Sequence, residues 1–307
     1  MTDMNVLASY WYFRDADLDA IFGSNGTDGC PTSVMSDSGA FSAWTQGASI
    51  DVDDYAAWVL ANRRWLDVIV TLDVIGDPVA TWDNTQRMIE HGIDDVIPVW
   101  HMGEPFDALA RYIEAGFTHI GIGGMVGRPP SSLHTWCAQA FRMAEGTDAL
   151  FHSFGRTTKA MVHDFPWYTL DSTTWLNGCK YGELTLFDDA RGWFVRLQAA
   201  KRHTAARYAT TIRLHHEDPA EWLDSRASSP QSAGTVDRAR ASELYNRQRR
   251  MSVQAWLRME SWLQQRRAVG GDGPKVYLGI GPGDWQRYFV GQPEVIERDH
   301  RFELRLH

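Results

Sequence analysis

Three carboxylates stand out by position: Asp37, Asp73 and Asp171 each close a short apolar run, in Val34-Met35-Ser36-Asp37, Val70-Thr71-Leu72-Asp73 and Tyr168-Thr169-Leu170-Asp171. Strand interiors disfavour Asp, so a run of this kind puts the carboxylate at a strand end. Any one of the three could equally cap a following helix. As a set they point to chemistry, because Ser, Gly or aromatic residues follow them where a helix would otherwise begin. Two converging carboxylates suit glycosidic bonds: one attacks the anomeric carbon while the other protonates the leaving group.

Other groups near the same strand ends could hold a flat ligand. Phe41, Trp100 and His152 offer stacking faces, although Phe and Trp more often fill cores. Gly121-Ile122-Gly123-Gly124 lacks the spacing of a dinucleotide fingerprint, and its use would be close backbone approach. Metal chemistry has little support. The 11 His residues form neither HxH nor HExxH, and the adjacent pair His215-His216 cannot share a helix face. Phosphate-loop, serine-elbow and kinase signatures are absent as well.

These residues need a scaffold. The apolar runs predict eight strands: Val6–Tyr12, Ser33–Ser38, Val68–Ile75, Val96–His101, His119–Gly123, Ala149–Phe154, Trp167–Ser172 and Lys275–Ile280. Amphipathic segments such as Val52–Arg64, Thr81–Glu90 and Pro105–Ala115 lie between them, each opened or preceded by Asp, Glu, Thr or Pro. Eight βα units predict an α/β fold of the (β/α)8 TIM-barrel type, in preference to a doubly wound sheet. Chemistry in such a barrel sits at the C-terminal strand ends, where the three Asp residues fall. Residues 1–190 and 270–307 are assigned to the barrel and 191–269 to a basic helical insertion before the last strand. Within it, Arg191–His215 reads as helical from Trp193, Leu197 and Ala200, Ser225–Thr235 as a loop, and Arg238–Arg267 as a long helix.

The chain's 307 residues carry a net charge of −9, which at first disfavours a polyanionic partner. The distribution reverses that view. Arg191–Arg267 holds 15 Lys or Arg against 7 Asp or Glu, a local +8 that leaves −17 for the remainder. Arg247, Arg249 and Arg250 are the candidate phosphate contacts. No apolar run is long enough to span a membrane, and the three Cys residues are odd in number and far apart. Both features predict a protein of the reducing cytoplasm.

With the strand ends in order, the chain resembles the tRNA-guanine transglycosylase superfamily, whose members are TIM barrels. That family runs roughly through DSGGFQ, an Asp-x-Cys loop, a VQGG-like loop, GGLAVGE, LMGVG and FDCVLPTR. Here Ser36–Ser42 resembles the first, Asp73-Val74-Ile75 the second, Gly123–Gly127 the fourth, Phe151–Gly155 the fifth and Leu170–Thr174 the last. The resemblance implies Asp171 as nucleophile and Asp37 as general acid/base. It implies that Asp73 reads a purine-like edge with Ser38 beside it, that Phe41 stacks on the base, and that the Gly123, Gly124 and Met125 segment contacts it. His152 stands where the family has a stacking Met, and His101 or Met102 where it has an amide side chain. Ile75 replaces the family's Cys.

The zinc cluster of the tRNA-acting members has no counterpart here. The chain therefore looks more like the DNA-guanine transglycosylases encoded by phages and DNA-modification gene clusters. The resemblance then implies a pentosyltransferase that replaces guanine in DNA with a 7-deazaguanine of the preQ0 type, through a covalent glycosyl-enzyme. Action on tRNA, or glycoside hydrolysis with retention on the same barrel, are the alternatives. It implies no metal or redox cofactor, no membrane association and a monomer, in the host cytoplasm if phage-encoded.

Overall fold

The computed structural model describes residues 4–23, 30–198, 202–223, 231–232, 235–236, 238–267 and 274–295. Two units emerge, Met4–Thr173 with Arg267–Gln286, and Thr174–Arg266 with the segment from Arg287 onward. The first is an α/β barrel of parallel strands: β1 (Asn5–Ser9), β2 (Ser33–Asp37), β3 (Val68–Val70), β4 (Val96–Ile97 and Val99–His101), β5 (His119–Gly123), β6 (Leu150–Ser153), β7 (Thr169–Ser172) and β8 (Lys275–Ile280). β8 closes the ring by pairing with both β1 and β7. The (β/α)8 expectation therefore holds; β5 and β8 have the bounds of the apolar runs that announced them, and the other six strands are shorter than theirs.

β4 comes in two pieces because Pro98 has no N–H to donate to a ladder. Val96 and Ile97 pair with β3, and Val99–His101 pair with β5. The Pro98 carbonyl still accepts the Gly121 amide at 2.8 Å, so the ring stays joined there. Leu7, Met35, Val70, Ile97, Val99 and Tyr277 form an apolar cluster in this unit. Burial on both faces explains why the strands read as continuous apolar runs instead of alternating ones.

The surrounding helices begin where Asp residues can cap them. Asp51 Oδ1 accepts the Asp53 and Asp54 amides ahead of Val52–Ala61, and Asp77 does the same ahead of Pro78–Glu90, where Pro78 occupies the first turn. Tyr55 anchors the first of these helices to the sheet, its hydroxyl donating to the Val70 carbonyl at 2.8 Å and meeting Ser36 Oγ at 3.0 Å.

The second unit begins at Thr174, earlier than the boundary at residue 191, and it resumes at Arg287. Its helix Arg238–Arg267 matches the periodicity. Trp193–Gln198 does not: it is a strand, antiparallel to Glu183–Asp188. Trp193 and Leu197 lie four residues apart, a spacing that suits a helix face and one face of a strand equally. Val195, apolar and buried between them, is the sign of the strand. Leu184, Leu186, Val195, Leu197, Ile212, Trp222 and Met251 form this unit's core. Ala200 and most of Ser225–Thr235 lie outside the described residues. No described helix is long and apolar enough to cross a membrane.

Candidate active site

The barrel brings Asp37, Asp73, His101, Gly123, His152 and Asp171 to the C-terminal ends of β2 to β7. Asp37 ends β2, and Gly39 turns the chain directly into the helix Ala40–Thr45. Gly39 has φ +78°, and a Cβ there would lie 2.5 Å from both Ser9 Oγ and Trp11 Cβ. Only glycine meets both the conformation and the space.

Burial pushes the Asp37 carboxyl up to about 7, the negative charges of Asp73 and Asp171 adding to the rise while the Gly39 amide offsets part of it. At neutral pH the group therefore exists in both protonation states. Asp171 stands differently. Its Oδ1 accepts the Gly155 amide at 2.7 Å and faces His152 Nε2 at 3.3 Å, and its side chain is mostly buried. One mouth thus holds an acid poised near neutrality and a carboxylate braced by donors.

Asp73 lies just past β3. Its Oδ1 accepts the Ser38 hydroxyl at 3.3 Å, and its Oδ2 lies 2.9 Å from His101 Nε2. On the other side of that imidazole, Nδ1 faces Glu104 Oε1 at 3.1 Å, while Glu104 Oε2 accepts the His101 amide at 3.0 Å. Burial alone would drive His101 toward neutrality, but its hydrogen bonds to Asp73 and Glu104, with their charges, carry it up to about 9. His101 is a cation at neutral pH. A ligand edge at this wall would meet a hydrogen-bonded Ser–Asp–His–Glu chain, with His101 at the position assigned to it in place of an amide side chain.

Gly123 and Gly124 leave room for that chain. A Cβ on Gly123 would lie 2.7 Å from His101 Cδ2, and one on Gly124 would lie 2.9 Å from the Met102 amide nitrogen. Phe41 is 61% exposed and packs beside Trp44, itself 65% exposed, at 6.2 Å. Both rings keep open faces, as base stacking requires.

Two expected stacking groups, Trp100 and His152, are corrected, and Met125 is left with a backbone contact alone. Trp100 is fully buried and stacks on Trp136 at 4.1 Å, so it belongs to the packing around the sheet. Met125 is also fully buried, its sulfur 4.0 Å from Cys137 Sγ, which leaves its backbone but not its side chain for ligand contact. His152 has no exposed face: its nitrogens meet Thr169 and Asp171, and Phe154 covers it at 4.2 Å. The imidazole braces a carboxylate instead of carrying a base.

In the basic helix, two of the three candidate phosphate contacts already have partners within the chain. Arg247 ion-pairs with Glu217 and Glu221 and lies 4.8 Å above the Trp222 ring. Arg249 donates to the Tyr245 hydroxyl and sits among the rings of Trp175, Tyr245 and Tyr288. Arg250 alone of the three is exposed. The adjacent histidines separate as expected. His215 is buried and accepts the Phe187 amide at 3.0 Å, whereas His216, at φ 59°, meets the Glu294 carbonyl.

Glu104, Gly155 and Thr169 join the site without having been assigned to it. Glu104 carries a signal in hindsight, a carboxylate three residues after a strand-end His and across a Gly. Thr169 and Gly155 carry none, because their roles depend on lateral register between strands. The likeness to the guanine transglycosylases rests on the order of motifs at these strand ends: no family model matches the chain, and no curated protein matches it.

Proposed function

We propose that this chain is a base-exchange glycosyltransferase that replaces guanine in DNA with a 7-deazaguanine through a covalent intermediate on Asp171. The observation that carries the reading is the contrast between two carboxylates at one mouth, Asp37 raised to about 7 and Asp171 held through one oxygen by the Gly155 amide and faced by His152. A carboxyl raised toward neutrality suits the acid role, and a carboxylate held in place by donors suits the nucleophile role.

In the proposed reaction the target nucleotide leaves the stack and its base lies against Phe41. Ionised Asp171 attacks the anomeric carbon, the C–N glycosidic bond breaks, and protonated Asp37 supplies the proton that departing guanine takes up. Asp37, now ionised, accepts the N9 proton of the incoming deazaguanine. That nitrogen attacks the same carbon and displaces Asp171, so two inversions leave net retention. Asp73 accepts hydrogen bonds from the base's N–H groups through lone pairs that Ser38 and His101 do not use. The residues fit this chemistry without a cofactor. Action as a monomer in the cytoplasm belongs to the same reading.

The engagement of Arg247 and Arg249 favours one second reading, a glycoside hydrolase with retention, since it removes two of three contacts to phosphate. One assay separates the two. Incubation with labelled guanine or 7-cyano-7-deazaguanine and duplex DNA should incorporate the label. Incorporation into tRNA alone would change the substrate, and sugar release without incorporation would favour the hydrolase.

A further inference from the structure

A polar column runs inside the barrel beneath Asp171. His119 Nε2 lies 2.9 Å from Thr169 Oγ1, the same oxygen lies 2.8 Å from His152 Nδ1, and His152 Nε2 lies 3.3 Å from Asp171 Oδ1. Register explains the alignment. His152 pairs with Gly121 on one side and Thr169 on the other, and Asp171 follows Thr169 by two residues on the same strand face. Gly121 makes the space: a Cβ there would lie 2.3 Å from Phe154 Cε2, and Phe154 covers the His152 ring.

We propose that His119, Thr169 and His152 form a one-way hydrogen-bond relay that fixes His152 as its Nε2–H tautomer and so holds Asp171 by one oxygen, leaving the other to attack. The direction follows from counting protons. Thr169 has a single hydroxyl proton and can give it to one ring only. If it donates to His152 Nδ1, then His152 Nε2–H points at the Asp171 carboxylate and His119 Nε2–H completes the chain. All three contacts are then satisfied with both imidazoles neutral. The opposite direction would set a His152 lone pair against the carboxylate unless a further proton entered. His119 suits the donor end, because burial, with His152 nearby, lowers it to about 3 and keeps it neutral.

The consequence falls on Asp171. The Gly155 amide and His152 both reach Oδ1, and among the described residues no hydrogen bond engages Oδ2. Thr169 and His152 are thus positioning residues, acting through the nucleophile. A neutral His152 also braces Asp171 without offering it a spare proton, which would quench attack. The assignment of Oδ2 as attacking oxygen rests on the base-exchange reading, whereas the relay does not.

The test uses the whole chain labelled with ¹⁵N-histidine. Long-range ¹H–¹⁵N correlation at neutral pH should give His152 a protonated Nε2 and an unprotonated Nδ1 that accepts a hydrogen bond. A protonated Nδ1, or both nitrogens protonated, would overturn the relay. Thr169→Val keeps the shape and removes the hydroxyl. It should blur the tautomer preference and slow exchange at least tenfold at unchanged KM for the free base, and Thr169→Ser should restore both. A folded Thr169→Val with unaltered tautomer and rate would also overturn it. Should Thr169→Val not fold, the wild-type spectrum and Thr169→Ser decide. A wild-type chain that shows the Nε2–H signature but exchanges no base would sink the exchange reading while leaving the relay standing.

Discussion

The barrel mouth and the core of the second unit handle buried charge in opposite ways. In the second unit Arg258 and Asp189, 2% and 7% exposed, pair at 2.6 Å, and Arg258 also donates to the Leu214 carbonyl. Arg247 likewise meets Glu217 and Glu221. At the mouth, Asp37, Asp73 and Asp171 crowd together, and His101 is committed to Asp73 and Glu104. Matched charge holds a structure together. Unmatched charge raises an acid to a useful proton affinity and marks the place where a substrate can bring stability.

Five substitutions press on that contrast. Asp171→Asn should have the largest effect, abolishing base exchange and any covalent adduct on denaturing gels, a loss on the order of 10⁴-fold or more. Wild-type exchange by this variant would move the nucleophile elsewhere. Asp37→Asn should slow exchange by about 10²–10⁴-fold while sparing nucleic-acid binding.

The same Asp37→Asn change should affect stability in the other direction. Its carboxyl lies above the ordinary value of 3.8, so the stability owed to the protonated form is complete below pH about 4 and is lost as pH climbs through about 7. Asn cannot ionise. The variant should melt a few °C above wild type at pH 8, with the gap closing toward pH 4. A variant that melts lower at pH 8 would mean that Asp37 is a structural group.

Arg258→Ala, by contrast, should cost the second unit roughly 3–5 kcal/mol in denaturant titrations, because it leaves Asp189 buried without its cation. A cost near zero would erase the distinction between the regions. The smallest effect concerns salt. Arg250→Gln should lower the salt dependence of DNA binding by about one ion, and Arg247→Gln should leave it unchanged. Equal slopes for the two would mean that Arg247 exchanges its carboxylates for phosphate.

Sequence periodicity and strand-end composition sufficed to place eight strands, the long helix and the three Asp residues, because each depends on neighbours along the chain. Pairing was not legible. The net +8 of Arg191–Arg267 does not say which of its arginines are free: Arg247 is matched by Glu217 and Glu221, 26 to 30 residues earlier in the chain. His152 looked like a stacking ring because nothing local reveals that Thr169 and Asp171 stand opposite it. Trp193 and Leu197 misled for a different reason, since their spacing satisfies two periodicities and only Val195 separates them.

The division of β4 at Pro98 bears on how the mouth moves. β3 joins β2 through Met35–Val68 and Ser36–Ile69, and joins β4 through Ile69–Val96 and Val70–Ile97. β1 and β2 pair along all five residues, and β8 backs β7 from Thr169 to Ser172. Asp37 and Asp171 therefore each stand on a strand backed on one side by a ladder of four or five pairs, although β7 joins β6 by only two, whereas β3, which leads to Asp73, has two pairs on either side, and the piece of β4 that carries His101 has three to β5. Amide hydrogens around Val68–Val70 should exchange with deuterium sooner than those of β1 and β8. The wall that would read the base can breathe to admit one base and release another, while the wall that would make and break the bond keeps its shape.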